Sequence, residues 1–372
     1  MNFDIEDEEE REEKDRRSQY EDKQKIHLIL IFFFAIGTLI IIITLLVLKG
    51  GKSSNTQQQP AAPKQINNQE IKPMEKQRLT VFDEDSNERP IAVMIDNAIG
   101  DARHAGLQES YLNYEILVEG GLTRIMSIYK DKDVPLIGPI RSSRHYFIDY
   151  VLENDAIYVH YGWSPYAQKD EESLGINNVN GLVNPDAFRR DSKAIAPHNV
   201  FTKLPYIKNF LDRTSYNQTS DNWKLLKYSA TSIDLENDTD YQAKEANSIH
   251  IPYSQNEYRN YNYDANNQYY LRSTNGKQQI DRKSEKQLHY KNIIIQRNDY
   301  EVVDQEGRID VKTVGSGNGY LITNGKFLPI KWTKASRGAK TVYSYENGQE
   351  ITVNDGNTFI QIVPTNTNIT IE

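Results

Sequence analysis

Residues 138–162 read GPIRSSRHYFIDYVLENDAIYVHYG. The stretch holds a turn, a helical pattern and a strand pattern in succession, and so decides the fold class. Phe147, Tyr150 and Val151 share one face at helical spacing, while AIYVHYG is a short apolar run stopped by Gly162. Upstream, PLIGPI reads as another short strand, and Ser142-Ser143 as a serine N-cap for the helix. Arg144 then falls in the first helical turn, where the helix dipole disfavours a cation. An arginine there calls for an anionic partner, and Arg141 stands just before it.

Outward on the N-terminal side, PIAVMID and TRIMSIY read as strands. Between them lies AGLQESYLNYEILVEGG, where Leu107, Tyr111, Tyr114 and Leu117 recur at helical spacing and Gly120-Gly121 supplies a stop. A helix is expected there. Another is expected over LPYIKNFLDRT from Leu204. Strands alternating with helices predict an α/β layered domain with a central sheet over 89–245.

From residue 246 the helical patterns stop. SIHIPYS, QYYLRST, NIIIQR, GYLIT, LPIKWTK and TFIQIVP are strand-like, and Asn-Gly and Asp-Gly pairs punctuate the region. Such pairs are the strongest short-range hairpin cue. A mostly antiparallel β domain is expected over 246–372, giving α+β overall.

The N-terminal part differs. Residues 1–27 hold eleven acidic and six basic side chains and read as a solvated charged tail. Leu28 to Leu48 is 21 residues without a charge, long enough for a single transmembrane helix. It is longer than the apolar core of a cleavable signal and is followed by KGGKSS, so it is expected to remain as an anchor. Basic residues are more numerous before it than after, which places the N-terminus in the cytoplasm and the bulk outside. Residues 49–88 are expected as a flexible linker.

Composition narrows the chemistry. The chain has no cysteine, which excludes disulfides, thiolate metal sites and thiol nucleophiles. Its net charge of −8 gives no support to a nucleic-acid partner. GSGNG at 315–319 opens no helix, so it is no dinucleotide fingerprint. DEDSN at 83–87 lacks the later calcium-loop ligands. His104, His145, His160 and His198 show no metal-protease spacing. No cofactor and no metal is expected.

What remains is a cluster of candidate ligand-binding residues: Asn97, Glu119, Arg124, Arg141, Ser142, Arg144 and His160. Guanidiniums, serine hydroxyls and free backbone N–H groups at a helix start form an anion seat. A second reading stays open, in which Glu115, Glu119, Arg124, Arg141 and Arg144 are an internal salt-bridge network. Asp96-Asn97 reads as a turn or helix cap.

Three functions follow. The first is a membrane-anchored extracytoplasmic binding or scaffold protein, taking an anionic envelope polymer or a protein partner. The second is a hydrolase of cell-wall or phosphodiester substrates, with His160 or His198 as acid–base and Glu115 or Glu119 as the second group. The third is a protein–protein module anchored by exposed tyrosines of the β domain.

The strings RPIAVMIDN, EGGLTRIMSIY, IGPIRSSRHYFIDYVLENDAIYVHYGWSP and GSGNGYLITNGKFLPIKWTK resemble the YerB family of bacterial envelope lipoproteins, a family built of domains of unknown function. The resemblance covers most of residues 89–372. It implies a two-domain envelope protein and carries over no catalytic residues. Members are often anchored by a lipid-modified cysteine, which this chain lacks; the Leu28–Leu48 segment would take that role.

Overall fold

The computed structural model describes residues 77–98 and 104–372. The charged tail, the Leu28–Leu48 segment and most of the expected linker lie outside the described residues. Among those described, no helix is long and apolar enough to cross a membrane.

The N-terminal strands are β1 (Ile91–Asp96), β2 (Leu112–Leu117), β3 (Thr123–Tyr129), β4 (Ile157–His160), β5 (Asn178–Asn180), β6 (Arg189–Arg190) and β7 (Val200–Phe201). Three α-helices stand among and after them: α1 (His145–Glu153), α2 (Pro165–Ser173) and α3 (Leu204–Leu211). The principal later strands are β8 (Ser248–Pro252), β9 (Tyr258–Asp264), β10 (Tyr269–Thr274), β11 (Asn292–Asn298), β12 (Gly315–Thr323), β13 (Lys326–Lys334), β14 (Val342–Ser344) and β15 (Thr358–Pro364).

An eleven-stranded sheet runs in the order β14-β13-β12-β11-β15-β2-β3-β1-β4-β5, with the two-residue strand Lys244–Glu245 on β13. It crosses the expected boundary at 245/246, because β15 pairs in parallel with both β11 and β2. The C-terminal half is therefore not purely antiparallel, and the two halves share one sheet. A second, six-stranded sheet contains β8, β9 and β10.

Alternate residues of the large sheet feed two apolar cores. Ala92 and Met94 of β1 and Ile294 of β11 join the core that contains Tyr146, Phe147, Tyr150 and Val151 of α1. Ile91, Val93 and Ile95 of β1, with Ile293 and Ile295 of β11, join the core under α3 and the six-stranded sheet. Strands covered on both faces leave no side chain facing water, so polar residues on them need buried partners.

This explains the principal correction. The helix expected over 105–121 is instead β2 followed by a short 3-10 turn, Glu119–Gly121. All six residues of β2 are buried: Leu112 to Ile116 alternate apolar and polar, but Asn113 and Glu115 face buried partners, Ser127 and Thr123, rather than water. The expected strand PLIGPI forms only isolated bridges, Ala105 to Gly138, Ile137 to Thr202 and Ile95 to Ile140. The expected linker ends early. Val81 and Phe82 are buried, and the Phe82 ring stands edge-on to Trp223 at 4.8 Å. The Asn-Gly cues form tight turns: Asn275-Gly276 and Asn324-Gly325 all have positive φ, between 49° and 76°.

Candidate functional site

Strands β1 and β4 run parallel, so their carboxyl ends share one edge, the usual location of sites in open α/β sheets. Residues 138–144 cross this edge as an extended strap. Ile140 bridges Ile95, the Arg141 N–H donates to the Met94 carbonyl at 3.0 Å, and the Tyr161 N–H donates to the Arg141 carbonyl at 3.0 Å. Gly138 makes the entry feasible. Its φ is +147°, and a Cβ there would come within 2.8 Å of the Phe201 ring and 2.9 Å of the Val200 carbonyl.

The serine cap is not formed. The residue that caps α1 is Arg144, in extended conformation and with no side-chain capping bond. Arg144 therefore precedes the first turn. The Ser142 hydroxyl donates to the Tyr161 carbonyl at 3.1 Å, and Ser143 is fully buried in the strap.

Three guanidiniums gather here. Arg144 makes a two-pronged contact with Glu119, Nε to Oε1 at 2.6 Å and Nη2 to Oε2 at 2.8 Å. Burial pulls the Glu119 carboxyl upward, but Arg144 overcomes it and holds it below the usual carboxylate range. Arg141 Nε lies 3.1 Å from Asp96 Oδ2, close but not aligned as a hydrogen bond. Arg124 is buried and donates from Nη1 to the Ser142 carbonyl at 2.5 Å. Among the described residues it has no carboxylate partner. Burial, then the like charges of Arg144 and Arg141, lower its pKa to about 10.

Asp96, read from sequence as a cap, organises the edge. It is buried, it stands opposite Arg124 in the β1–β3 register, and its Oδ2 also lies 2.5 Å from His198 Nδ1. His198 remains about a third exposed. Glu119, Arg124, Arg141, Ser142 and Arg144 thus come together, with Asp96 and His198 added.

Asn97 and His160 do not join them. Asn97 donates to Glu115 Oε1 at 2.8 Å and to the Thr123 hydroxyl at 2.7 Å. His160 is fully buried, with Nδ1 2.8 Å from the Gly162 carbonyl and Nε2 3.3 Å from Glu171 of α2. Both side chains are closed to solvent, and the approach to Glu171 is not aligned as a hydrogen bond. The catalytic pairing of a histidine with Glu115 or Glu119 is not formed: His198 meets Asp96, and Glu115 is enclosed elsewhere.

Glu115 is the centre of a second network. Arg259 Nε donates to its Oε1 at 2.6 Å and Arg272 Nη2 to its Oε2 at 2.5 Å, all three side chains being wholly buried. Burial would raise the Glu115 pKa, but the two guanidiniums prevail and hold it at about 2. Of the expected salt-bridge network, only Glu119 with Arg144 is an ion pair. The sequence carried no signal for Arg259 and Arg272, which approach from the six-stranded sheet.

His104 joins the two networks. Its Nε2 donates to the Asp96 carbonyl at 2.6 Å and its Nδ1 accepts from Gln279 at 2.9 Å, while Gln279 also accepts from Arg272. Both ring nitrogens are used by the neutral imidazole. Burial, opposed by the Asp96 carbonyl, lowers its pKa to about 4.

Two hollows lie elsewhere. One of about 610 Å³ is lined by Thr231, Asp238, Tyr241 and Tyr345, and one of about 410 Å³ by Phe82, Lys224, Tyr228 and Val342. Neither is lined by a residue of the guanidinium cluster. Among the described residues no three His, Asp or Glu side chains gather as a metal-ligand set.

Known proteins share this architecture. Residues 79–217 match the N-terminal domain, and residues 249–360 the C-terminal domain, of the family described as "Protein of unknown function (DUF3048)". The chain is 30% identical over 280 residues to "Putative lipoprotein YerB" of Bacillus subtilis (strain 168), covering 74% of this chain and 81% of that one. The chain belongs to the YerB family. The crystal structure of YerB protein from Bacillus subtilis superimposes with a TM-score of 0.67 at 30% identity, over 76% of this chain and 94% of that chain. The two family matches leave residues 218–248 uncovered, and the large sheet has strands on both sides of that interval.

Proposed function

We propose that this YerB-family chain is an extracytoplasmic binding protein of the bacterial cell envelope, held at the membrane through Leu28–Leu48, and that its strap seats an anionic group. The observation that carries the reading is the imbalance at the β1–β4 edge. Three guanidiniums face two carboxylates, and Arg124 has no carboxylate among the described residues. A buried cation in such company gains from an added anion, and guanidiniums match phosphate and carboxylate geometry. The location outside the membrane is supported by the relative named as a lipoprotein and by the uncharged N-terminal run.

Poly(glycerol phosphate) is the chosen probe of an anionic envelope polymer. Titration of the detergent-solubilised full chain should give saturable binding that weakens as salt rises, and a neutral dextran should give none. Equal signals from both polymers would refute the reading.

The contact between His198 and Asp96 favours a second reading, acid–base hydrolysis of a phosphodiester held in the same seat. It requires turnover that His198→Ala abolishes while polymer binding persists. The tyrosine-anchored reading finds less support, because Tyr261, Tyr270, Tyr290 and Tyr343 are buried in the cores.

A further inference from the structure

Two loops beside the seat leave large apolar side chains in water. Leu182 and Val183, in the turn after β5, are 61% and 65% exposed, and Ile195, at the tip of the β6–β7 hairpin, is 85% exposed. Among the described residues only Val302 is comparably bare, at 69%. Isolated exposed apolar residues are ordinary, but a local group of them marks a contact surface.

Both loops are tied to one frame. Gly181 packs so closely on Tyr161 that a Cβ would lie 2.2 Å from its ring. Arg190 donates to the Tyr161 hydroxyl at 3.1 Å, and Phe188 stands edge-on to the Tyr161 ring at 5.7 Å. The Leu182 side chain approaches Gly162 beside Ser142, and the hairpin returns through His198 to Asp96.

The charge of this surface is opposite to that of the chain. Exposed Arg189, Arg190 and Lys193 make no ion pair with a carboxylate among the described residues. Their nearby carboxylates are already used: Asp186 by Arg213 at 2.6 Å and Asp191 by Arg282 at 2.5 Å. Arg189 and Lys203 lie over the Tyr206 ring at 4.8 and 4.1 Å. Apolar tips with unpaired cations on the same hairpin and aromatics beside them suit the boundary of an anionic bilayer, where tips enter the acyl region and cations meet lipid phosphates.

We infer that the 181–183 turn and the 191–198 hairpin tip form a membrane-docking surface for anionic lipid, separate from the expected anchor. The inference goes beyond the anion-seat reading and does not require it.

The absence of cysteine makes the test direct, because Ile195→Cys in the full chain gives one labelling site. The labelled chain is reconstituted in phosphatidylglycerol or phosphatidylcholine vesicles carrying nitroxide lipids. An environment-sensitive probe at 195 should be quenched at least threefold more in phosphatidylglycerol than in phosphatidylcholine. Arg189→Glu with Arg190→Glu should remove that excess, and Arg141→Ala should leave it intact. A probe on Val302→Cys should show no such excess. Quenching at 195 no greater than at 302 in phosphatidylglycerol overturns the inference and turns the surface into a candidate for a protein partner.

Discussion

His198 Nδ1 lies 2.5 Å from Asp96 Oδ2, across 102 residues of sequence. The same oxygen is 3.1 Å from Arg141 Nε. One buried carboxylate therefore orients His198 and lies beside Arg141, and the outer atoms of both side chains have no partner among the described residues. Holding donors in place before a ligand arrives reduces the ordering cost of binding.

Glu119 competes with any ligand for Arg144, so its charge is predicted to weaken anion binding. Glu119→Gln should tighten poly(glycerol phosphate) binding about two- to fivefold, the effect of removing one half-buried opposing charge. Calorimetric titration measures it. Unchanged affinity would mean that Arg144 serves only the β2–β3 turn.

Glu115→Gln leaves Arg272 buried without a counter-charge and Arg259 with Glu257 alone, and should destabilise the fold by about 3–5 kcal/mol. Denaturant unfolding reads this as a lower midpoint. A loss below about 1 kcal/mol would contradict the account of that network.

Acid should weaken the protein in two windows. An unfolded His104 protonates near pH 6.5, but the folded one resists down to about pH 4, so stability falls as pH drops through that interval. Glu115 adds a second loss between its ordinary 4.5 and about 2, since only the folded state holds it ionised there. Each contribution is on the order of 3 kcal/mol when fully lost. His104→Asn should be less stable near neutrality yet show a flatter melting-temperature profile between pH 6.5 and 4. A profile as steep as that of the unaltered chain would assign the acid sensitivity elsewhere.

Gly138→Ala should cost ~2–4 kcal/mol, combining a strained φ with an overlap on Phe201 and the Val200 carbonyl. Thermal melting checks it, and an unshifted melting point would show that the strap relaxes freely.

These residues also show what could be read from sequence. Helix α1, helix α3, strands β1, β3 and β4 and the Asn-Gly hairpins carried local signals, because turn residues and apolar spacing act within a few residues. In β2 two local signals competed: Leu107, Tyr111, Tyr114 and Leu117 fit helical spacing, while Leu112 to Ile116 alternate as in a strand. The arginines of the strap were legible as a cluster, but their partners were not. Asp96 is 45 residues from Arg141, and Arg259 and Arg272 reach Glu115 from 144 and 157 residues away. Such pairings are set by the strap lying beside β1 and by the six-stranded sheet packing near β2, which no local pattern announces.

The central claim is that the strap arginines serve a ligand. Arg141 tests it most directly, since it is partly exposed and only loosely held by Asp96. Titration of the full chain with poly(glycerol phosphate) at low salt should show Arg141→Ala binding at least tenfold more weakly, the loss of about 1.5–3 kcal/mol typical of a charge-assisted hydrogen bond. Its melting temperature should stay near that of the unaltered chain. Identical affinities for the two folded proteins would contradict the claim and leave the arginines as internal braces of the sheet edge.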